Sequence, residues 1–504
     1  MKAIKASLWG KEIGRLAWHK ERHLTYFTPH PAITQDELTA IAPLANIRCN
    51  MPEYGNAEKI FQKLPPFLAD SLPDDWGNEL FDHWSSDVCS SDLIAPASVT
   101  PLEKLSFIGK RGMGAFEFEP ESSSSKNEKI DIDSLIALAQ KIFVEREDAH
   151  IAPDESITMQ MLYAVGTSAG GRQPKAIIAI NKKSGEIRSG QIIHDNDYDY
   201  YILKFGDALR SSAELEMTYY NMCCMAGIQM MESMLYDVDG VKHFLTRRFD
   251  RADDNKLHTQ TLAALDPEAT SYEQLVLVCR KLNLPETAID EVFRRMVFNI
   301  LANNTDDHNR NFSFIMNEGR EWSLAPAYDM TYIFNKGGYQ PESERCLSLA
   351  GKIRNITIDD VLSFAKANGI RRAKSIIESV AKSISAFRTL ATRNGVREEW
   401  IGRIEQCLNK HLEEWGLQAA TPSIAYIDSH GRHILNVRIE QAYKGNFHLL
   451  ATIDSRPCKY IIRVGTPLHS EITRIGVTNI TKEQLSAWVE EYLCHEVQRI
   501  IEQE

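Results

Sequence analysis

The sequence predicts an α+β fold built from several compact units, and three observations support this prediction. With 504 residues, 43% of them hydrophobic and 25% charged, the chain can bury more than one core. Short apolar segments bounded by turn residues are typical of strands, and they occur near both ends and in the middle of the chain. A stretch from about 270 to 415 has mainly the periodicity of helices.

Residues 1–120 are predicted to form a small β-rich subdomain. The segment IKASLWGKEIGRLAWHKERHLTYF alternates short apolar runs with turn residues, and a helical segment containing LPPFLADSLPDDW follows it. Residues 84–93, WSSDVCSSDL, match the in-frame translation of a common sequencing adapter. We interpret them as an assembly artefact rather than a polar loop, so Asp87 and Cys89 carry no functional weight.

Further units are predicted after the polar, Ser-rich segment ESSSSKNEK at 121–129, which is typical of an exposed boundary. Residues 130–250 combine strand-like segments (KAIIAI, YYILKF, HFLTRRF) with the helical patterns DSLIALAQKIFV and ELEMTYYNMCCMAG. Residues 251–417 are predicted to be a helical lobe, with EVFRRMVFNILANN and DDVLSFAKANG as amphipathic helices. Residues 420–504 predict strands followed by a helix from about Lys482, which indicates a small α+β appendage.

Charge, hydropathy and cysteine spacing exclude several classes of protein. The net charge of -12 argues against a broad nucleic-acid-binding surface. The chain lacks an apolar run of about 18 residues and an apolar signal core at its N-terminus, so we expect a cytoplasmic protein that does not enter a membrane. The nine cysteines lack CxxC or Cys/His ligand spacing, which indicates neither a zinc site nor a disulfide framework.

The stretch NNTDDHNRNF, residues 303–312, is the first candidate for chemistry. It follows a predicted helix, so we expect it on a loop, where functional groups concentrate. Asp306 and Asn311 have the D-x-x-x-x-N spacing of kinase catalytic loops, in which the Asp accepts a proton and the Asn holds magnesium. Asp329, in LAPAYDMTY, can supply a second acidic magnesium ligand. The alternative is a solvated turn whose Asn and Asp side chains cap helices.

Three other segments could contribute to the same site. Lys204, in the apolar strand YYILKF, needs an anionic partner if buried, and ATP phosphates or Glu216 could provide it; a surface lysine is the alternative. The Gly-rich VGTSAGGRQPK at 165–175 could cradle phosphates with its backbone N–H groups, although it lacks the Walker pattern. Phe249, in HFLTRRFDR, could stack on a nucleotide base or simply belong to the core. The order of these parts is that of a bilobal kinase.

Together with LADSLPDDWG, LSFIGKRGMGAFEF and TSAGGRQPKA, these motifs resemble the HipA family of serine/threonine kinases over about residues 1–415. The resemblance implies a bilobal protein-kinase-like fold of the HipA type. It also implies that Asp306 is the catalytic base and that Asn311 and Asp329 are magnesium ligands. A larger set would bind the nucleotide: Ser168, Ala169, Gly170, Gly171, Lys175, Lys204, Glu216, Arg248, Phe249 and His308. Ser168 corresponds to a serine that family members can autophosphorylate, which ejects the Gly-rich loop.

The resemblance further implies an activity and partners. Family members are ATP- and Mg²⁺-dependent kinases that act as growth-inhibiting toxins, and a small HipB-like helix-turn-helix antitoxin neutralises them. DNA contact would then be indirect, through the antitoxin, and the substrate could be an aminoacyl-tRNA synthetase or a translation factor. Two features depart from the family: Arg247 stands where some members have an acidic residue, and 420–504 has no counterpart. The alternatives are a kinase without a toxin role and a non-catalytic scaffold.

Overall fold

The structure is a computed structural model that describes most of the chain. The described residues are 3–73, 75–78, 80, 100–120, 130–145, 162, 166, 173–193, 197–252, 255–334, 344–417, 424–427, 433–441, 446–453, 456–475 and 480–494. The adapter-like segment 84–93 and the Ser-rich segment 121–129 lie outside them. Within these ranges, none of the helices has the length and apolar character needed to span a membrane.

The chain divides into two compact units. One consists of Met1–Val380 and Phe387–Glu405, the other of Ala381–Ala386 and Gln406–Glu504. Both units combine helices with antiparallel sheets, so the α+β fold class that the sequence predicts is confirmed.

The first unit begins with a five-stranded antiparallel sheet in the order β4-β3-β2-β1-β5. Its strands are β1 (Ile4–Leu8), β2 (Lys11–His19), β3 (Leu24–Pro29), β4 (Glu53–Tyr54) and β5 (Phe116–Glu119). The helices of this part are α1 (Gln35–Ile41), α2 (Pro66–Ala69) and α3 (Pro101–Ile108). Alternation along β1 turns Ile4 and Ala6 inward, where they share a core with Phe27 and Leu105. These strands and helices lie within residues 1–120, for which the sequence predicts a β-rich subdomain.

A second five-stranded antiparallel sheet has the order β7-β6-β8-β10-β9. Its strands are β6 (Lys175–Asn181), β7 (Ile187–Ser189), β8 (Tyr198–Lys204), β9 (Ser233–Val238) and β10 (Val241–Arg247). The helices of this part are α4 (Ile132–Glu145) and α5 (Ser212–Ala226). β6 pairs with β8 so that Lys175 lies opposite Lys204. Opposite residues of an antiparallel pair point to the same face, so both lysines belong to one face of the sheet.

Between residues 251 and 417, the described chain forms mainly helices, together with two small sheets. The strands are β11 (Arg251–Ala252), β12 (Asn255–Lys256), β13 (His258–Thr261), β14 (Ser313–Met316) and β15 (Trp322–Leu324). The helices are α6 (Leu262–Leu265), α7 (Tyr272–Lys281), α8 (Glu286–Leu301), α9 (Ile358–Ala367), α10 (Ala373–Ser385), α11 (Phe387–Asn394) and α12 (Glu398–Glu414). The sequence predicts the mainly helical character of this region, whereas strands of two to four residues give too little periodicity to predict how they pair into sheets.

The second unit contains a four-stranded antiparallel sheet in sequential order. Its strands are β16 (Ile424–Ile427), β17 (His433–Gln441), β18 (Phe447–Ile453) and β19 (Arg456–Ile462), followed by α13 (Pro467–Ile475), α14 (Lys482–Trp488) and a π-helical turn (Val489–Cys494). Val437, Leu449 and Leu485 belong to its core. The strand patterns of this region do not predict α13, although Thr466, whose hydroxyl accepts the His469 N–H at 3.3 Å, marks the start of this helix.

Candidate functional site

A cavity of about 580 Å³ lies in the first unit. Strands of the second sheet, helix α5, the segment before β14 and the N-terminal part all contribute to its walls. The predicted site residues that line it are Lys175, Lys204, Glu216, Arg248, Phe249, Asp306, His308, Asn311 and Asp329. Four predicted residues of the Gly-rich segment, Ser168, Ala169, Gly170 and Gly171, lie outside the described residues.

Lys204, at the end of β8, is the centre of the charged wall of this cavity. It is only 8% exposed, and its ammonium donates hydrogen bonds to Glu216 on α5 and to Asp329. The Glu216 side chain is buried, whereas the Asp329 side chain is 41% exposed. An ammonium has three donors, so one N–H of Lys204 has no acceptor among the described residues and could bind an anion. Lys204 on its strand is therefore ion-paired with Glu216 on a helix, which is the arrangement that the sequence predicts.

The charges of this group support one another. Burial disfavours the charged form of Lys204, but the Asp329 and Glu216 carboxylates outweigh burial and raise the pKa of the lysine above its ordinary value. The Lys204 ammonium in turn holds the pKa of Asp329 well below its usual range, although burial acts in the opposite direction. Lys175 lowers the pKa of Asp329 further. The Glu216 and Asp329 carboxylates and the Lys204 and Lys175 ammonium groups thus form one interacting set in the cavity.

Asp329 is held in a backbone conformation that few residues other than glycine adopt. Its φ is 57°, in the left-handed region, which costs about 1 kcal/mol or more for such a residue. Two hydrogen bonds hold the preceding residues: the Ala327 N–H donates to the Gln229 carbonyl at 2.7 Å, and the Tyr328 hydroxyl donates to the Arg310 carbonyl at 2.7 Å. These contacts direct the Asp329 carboxylate to Lys204.

Residues 303–312, here called the Asp306 loop, follow α8. Asn303 has a left-handed φ of 52°, and the Asn304 side-chain amide donates to the Asn299 side-chain oxygen at 3.0 Å. The two adjacent acids then differ in their surroundings. Asp306 lines the cavity, whereas Asp307 is 1% exposed and has no part in the lining that the described residues form. The Asn304 side chain therefore anchors the loop to α8. Of the two acids, Asp306 is the one that a ligand in the cavity can reach.

Asn311 and Asp329 could hold a divalent cation. The Asn311 amide N–H donates to the Asp306 carbonyl at 2.8 Å, which directs the side-chain oxygen away from that carbonyl. Amide and carboxylate oxygens are the ligands that Mg²⁺ prefers, and the ion usually takes its remaining ligands from water and substrate phosphates. Within the described ranges, no group of three or more His, Cys, Asp or Glu could hold a metal on its own. The residues fit an ion shared with a phosphorylated ligand.

Phe249, in the segment after β10, contributes an apolar side chain to the cavity. Phe249 lies 5.7 Å from Tyr328 between ring centroids, at an interplanar angle of 33°. Arg248 behaves differently, because its guanidinium is fully buried and binds both carboxylate oxygens of Asp250, at 2.8 and 2.7 Å. Its backbone N–H donates to the Tyr200 carbonyl at 2.8 Å. Arg248 can therefore contribute to a ligand site only through its backbone carbonyl group.

Several residues of the cavity were not recognised from the sequence. Asp70, at the end of α2, accepts hydrogen bonds from the Thr261 N–H at 2.7 Å and the Thr261 hydroxyl at 3.0 Å. Met113 and Asp75 line the cavity from the N-terminal part as well. The only sequence signal for these positions is their place in the motifs LADSLPDDWG and LSFIGKRGMGAFEF.

His308, which is among the predicted site residues, lines the cavity, and its buried Nδ1 has no hydrogen-bond partner within the described residues.

Two family models match this chain. The model of the HipA N-terminal domain matches residues 4–119, and the model of the HipA-like C-terminal domain matches residues 167–387. Together the two ranges cover more than half of the chain.

Similar proteins are found among curated sequences and solved structures. Two bacterial relatives are named "Putative kinase": one, Y4dM from Sinorhizobium fredii, is 23% identical over 195 residues, and one from Haemophilus influenzae is 27% identical over 204 residues. The matches cover 35% and 36% of this chain, and 47% and 56% of the relatives. The chain therefore spans about half the length of the curated relatives it matches.

A solved structure extends the comparison to most of the chain. It is the complex of the toxin-antitoxin system HipA, HipB and its operator DNA from Shewanella oneidensis. The alignment covers 82% of this chain and 98% of that chain, with a TM-score of 0.55 and 15% sequence identity. At this identity the likeness establishes the fold, so the predicted HipA-type architecture is confirmed.

Proposed function

This chain belongs to the HipA family, and from that premise we propose that it is an ATP- and Mg²⁺-dependent serine/threonine protein kinase. The observation that supports this proposal best is the ion-paired group of Lys204, Glu216 and Asp329 in one cavity with Asp306. Kinases use a strand lysine, a helix glutamate and a metal-binding aspartate to orient ATP. A scaffold without catalysis would have no need to bury these charges, because buried charges cost stability unless they are well paired.

In the proposed reaction, Asp306 accepts the proton of a substrate serine hydroxyl. The serine oxygen forms a bond to the γ-phosphorus, the bond from that phosphorus to the bridging oxygen breaks, and ADP leaves. Lys204 and Lys175 place positive charge beside the phosphates, and charge stabilisation of this kind supplies most of the catalysis in phosphoryl transfer. The adenine would lie against Phe249 and the apolar side chains near β10.

Asn311 and Asp329 would hold Mg²⁺, which when bound neutralises charge on the phosphates. Asp329 is suited to this role because its depressed pKa keeps it ionised. Lys204 would keep Glu216 as its partner while Asp329 turns to the cation.

The biological role that we propose is that of a growth-inhibiting toxin. Its partner would be a HipB-like helix-turn-helix antitoxin, as in the Shewanella oneidensis complex, and DNA would be contacted through that antitoxin. Its substrate would be a protein serine, in an aminoacyl-tRNA synthetase or a translation factor. Ser168 would be a site of autophosphorylation, which adds about -1.5 to -2 charges beside the nucleotide phosphates.

The proposed activity is tested with γ-labelled ATP and Mg²⁺. We expect wild-type protein to transfer label to protein, including to itself at Ser168, and Asp306→Asn to lower the rate about 100- to 10,000-fold, because the general base is lost. Ser168→Ala should remove only the self-label. A wild-type protein that binds ATP but transfers no label would refute the kinase proposal.

The proposed partner is tested by expression in cells. Wild type should arrest growth and Asp306→Asn should not. If a neighbouring gene encodes a small helix-turn-helix protein, its co-expression should restore growth. Transfer of label without growth arrest would favour the alternative, a HipA-like kinase that is not a toxin.

A further inference from the structure

The segment Arg345–Leu347 is bonded to the Asp306 loop through the buried carboxylate of Asp307. Both oxygens of Asp307 are used: Oδ2 accepts from the Tyr272 hydroxyl at 2.5 Å and from Arg345 Nη1 at 2.8 Å. Oδ1 accepts from the Cys346 N–H at 2.9 Å and the Leu347 N–H at 3.4 Å. The Arg345 and Asp307 side chains are 4% and 0% exposed. Four donors from two segments therefore fix one carboxylate.

The same segment also contacts Asp306. The Cys346 thiol lies 3.6 Å from Asp306 Oδ1 and is oriented to donate to it. The Cys346 N–H is shared between Asp307 Oδ1 and the Thr305 carbonyl, at 2.9 and 3.2 Å. Cys346 thus touches the residues on both sides of Asp306 in the chain and the Asp306 carboxylate itself.

We propose that Asp307, Arg345 and Cys346, here called the clamp, position the Asp306 carboxylate for proton transfer. This proposal rests on the proposed role of Asp306 as the base. A loop residue has two freedoms that matter here, the path of its backbone and the rotation of its side chain. Asp307 and Arg345 fix the backbone through a buried ion pair, and the Cys346 thiol selects one orientation of the carboxylate. Positioning of this kind matters because a displacement of about 1 Å can cost about 100-fold in rate.

The thiol contact is tested with Cys346→Ala and Cys346→Ser. The alanine variant should lower kcat about 3- to 10-fold, the value of one modest hydrogen bond, and leave KM for ATP unchanged. The serine variant, which keeps a donor, should recover most of this loss. Cys49→Ala is the matched control, because Cys49 is also half-buried and its thiol donates only to the Ile33 carbonyl at 3.5 Å, in the N-terminal part. Equal kcat in the wild type and in all three variants would overturn the role of the thiol.

The ion pair is tested with Asp307→Asn and, as a second variant, Arg345→Met. Each should lower kcat about 100-fold with little change in ATP affinity, since neither residue lines the cavity in the part of the chain the structure describes. Amide hydrogen exchange should accelerate in residues 305–312 and 345–349 together and leave β1 to β3 unaffected. If the two segments do not change together, the clamp is wrong.

The exchange experiment separates this proposal from the kinase proposal. Hydrogen exchange reports the clamp in the full chain without any turnover. A wild type that shows no phosphate transfer would therefore refute the kinase, whereas unchanged exchange in the variants would refute the clamp even in an active kinase.

Discussion

At the residue scale, the partners of Lys204 differ in how completely they are committed to it. The Glu216 side chain is 6% exposed and the Asp329 side chain is 41% exposed. A buried ammonium needs at least one buried counter-charge, because removal of one partner leaves an uncompensated charge. If Asp329 turns to a cation, Glu216 alone meets this need. In the proposed reaction, Glu216 would thus be the residue that keeps Lys204 in place.

We therefore expect Glu216→Gln to lower kcat/KM for ATP about 10- to 100-fold, mostly through KM, because glutamine keeps the shape but loses the charge that orients Lys204. Steady-state kinetics with varied ATP measure the effect. Glu214→Gln is the matched control, since Glu214 lies on the same helix but does not line the cavity. Similar kinetics for the two variants would show that Glu216 has no special role.

Spacing in the sequence predicts some of these residues and not others. The D-x-x-x-x-N pattern and the strand lysine predict that Asp306, Asn311 and Lys204 belong to one site, because this prediction needs only residue type and local order. Asp307 falls outside that spacing, and its buried contacts with Tyr272 and Arg345 cannot be predicted from the local sequence. Those partners lie 35 and 38 positions away, beyond the reach of a local pattern.

At the scale of the element, β13 carries a buried histidine that has no counter-charge among the residues that the structure describes. His258 is 0% exposed and packs on Phe116 of β5, with ring centroids 4.5 Å apart. Burial lowers its pKa to about 3. Through this contact, His258 links the N-terminal sheet to the small sheet β13-β14-β15. Its ring is neutral at ordinary pH.

The stability of the first unit should fall as the pH falls from 6.5 toward 3. In that window the unfolded chain protonates His258 at its ordinary pKa, about 6.5, while the folded chain cannot, so protonation favours unfolding. Between pH 7 and pH 5 this histidine should cost about 2 kcal/mol of unfolding free energy. Urea unfolding at both pH values, with His258→Phe for comparison, measures the difference. An equal pH dependence in both proteins would contradict the assignment, whatever their absolute stabilities.

Elements are predicted best where their signal is local. Helix α8 and strand β8 follow from periodicity, whereas the connection between the N-terminal part and the segment after β10 does not. There the Gly114 N–H donates to Asp250 at 2.7 Å across 136 positions, and Arg251 lies 2.8 Å from the same carboxylate oxygen. A side chain at Gly114 would lie 2.8 Å from the Thr259 hydroxyl, so the close approach requires glycine. Gly114, Asp250 and Arg251 each lie in a motif of the sequence, but the motifs do not show that these residues contact one another.

At the scale of the whole molecule, two compact units with separate cores make up the chain. The sequence predicts a C-terminal appendage because its strands follow a long helical stretch, and the family models end at residue 387, before it. Each unit buries its own apolar residues, and cores of this kind unfold as cooperative units. The two units can therefore be destabilised one at a time.

We accordingly expect differential scanning calorimetry of the full chain to resolve two transitions. Leu485→Ala, at a core position of the second unit that is 0% exposed, should lower one transition and destabilise that unit by about 2 to 5 kcal/mol, because it leaves a cavity. Leu16→Ala, at an equally buried position of the N-terminal sheet, should lower the other transition. Phosphate transfer measured below both transitions should survive Leu485→Ala, because every described residue of the cavity belongs to the first unit. A single transition that both substitutions shift would mean that the units unfold as one.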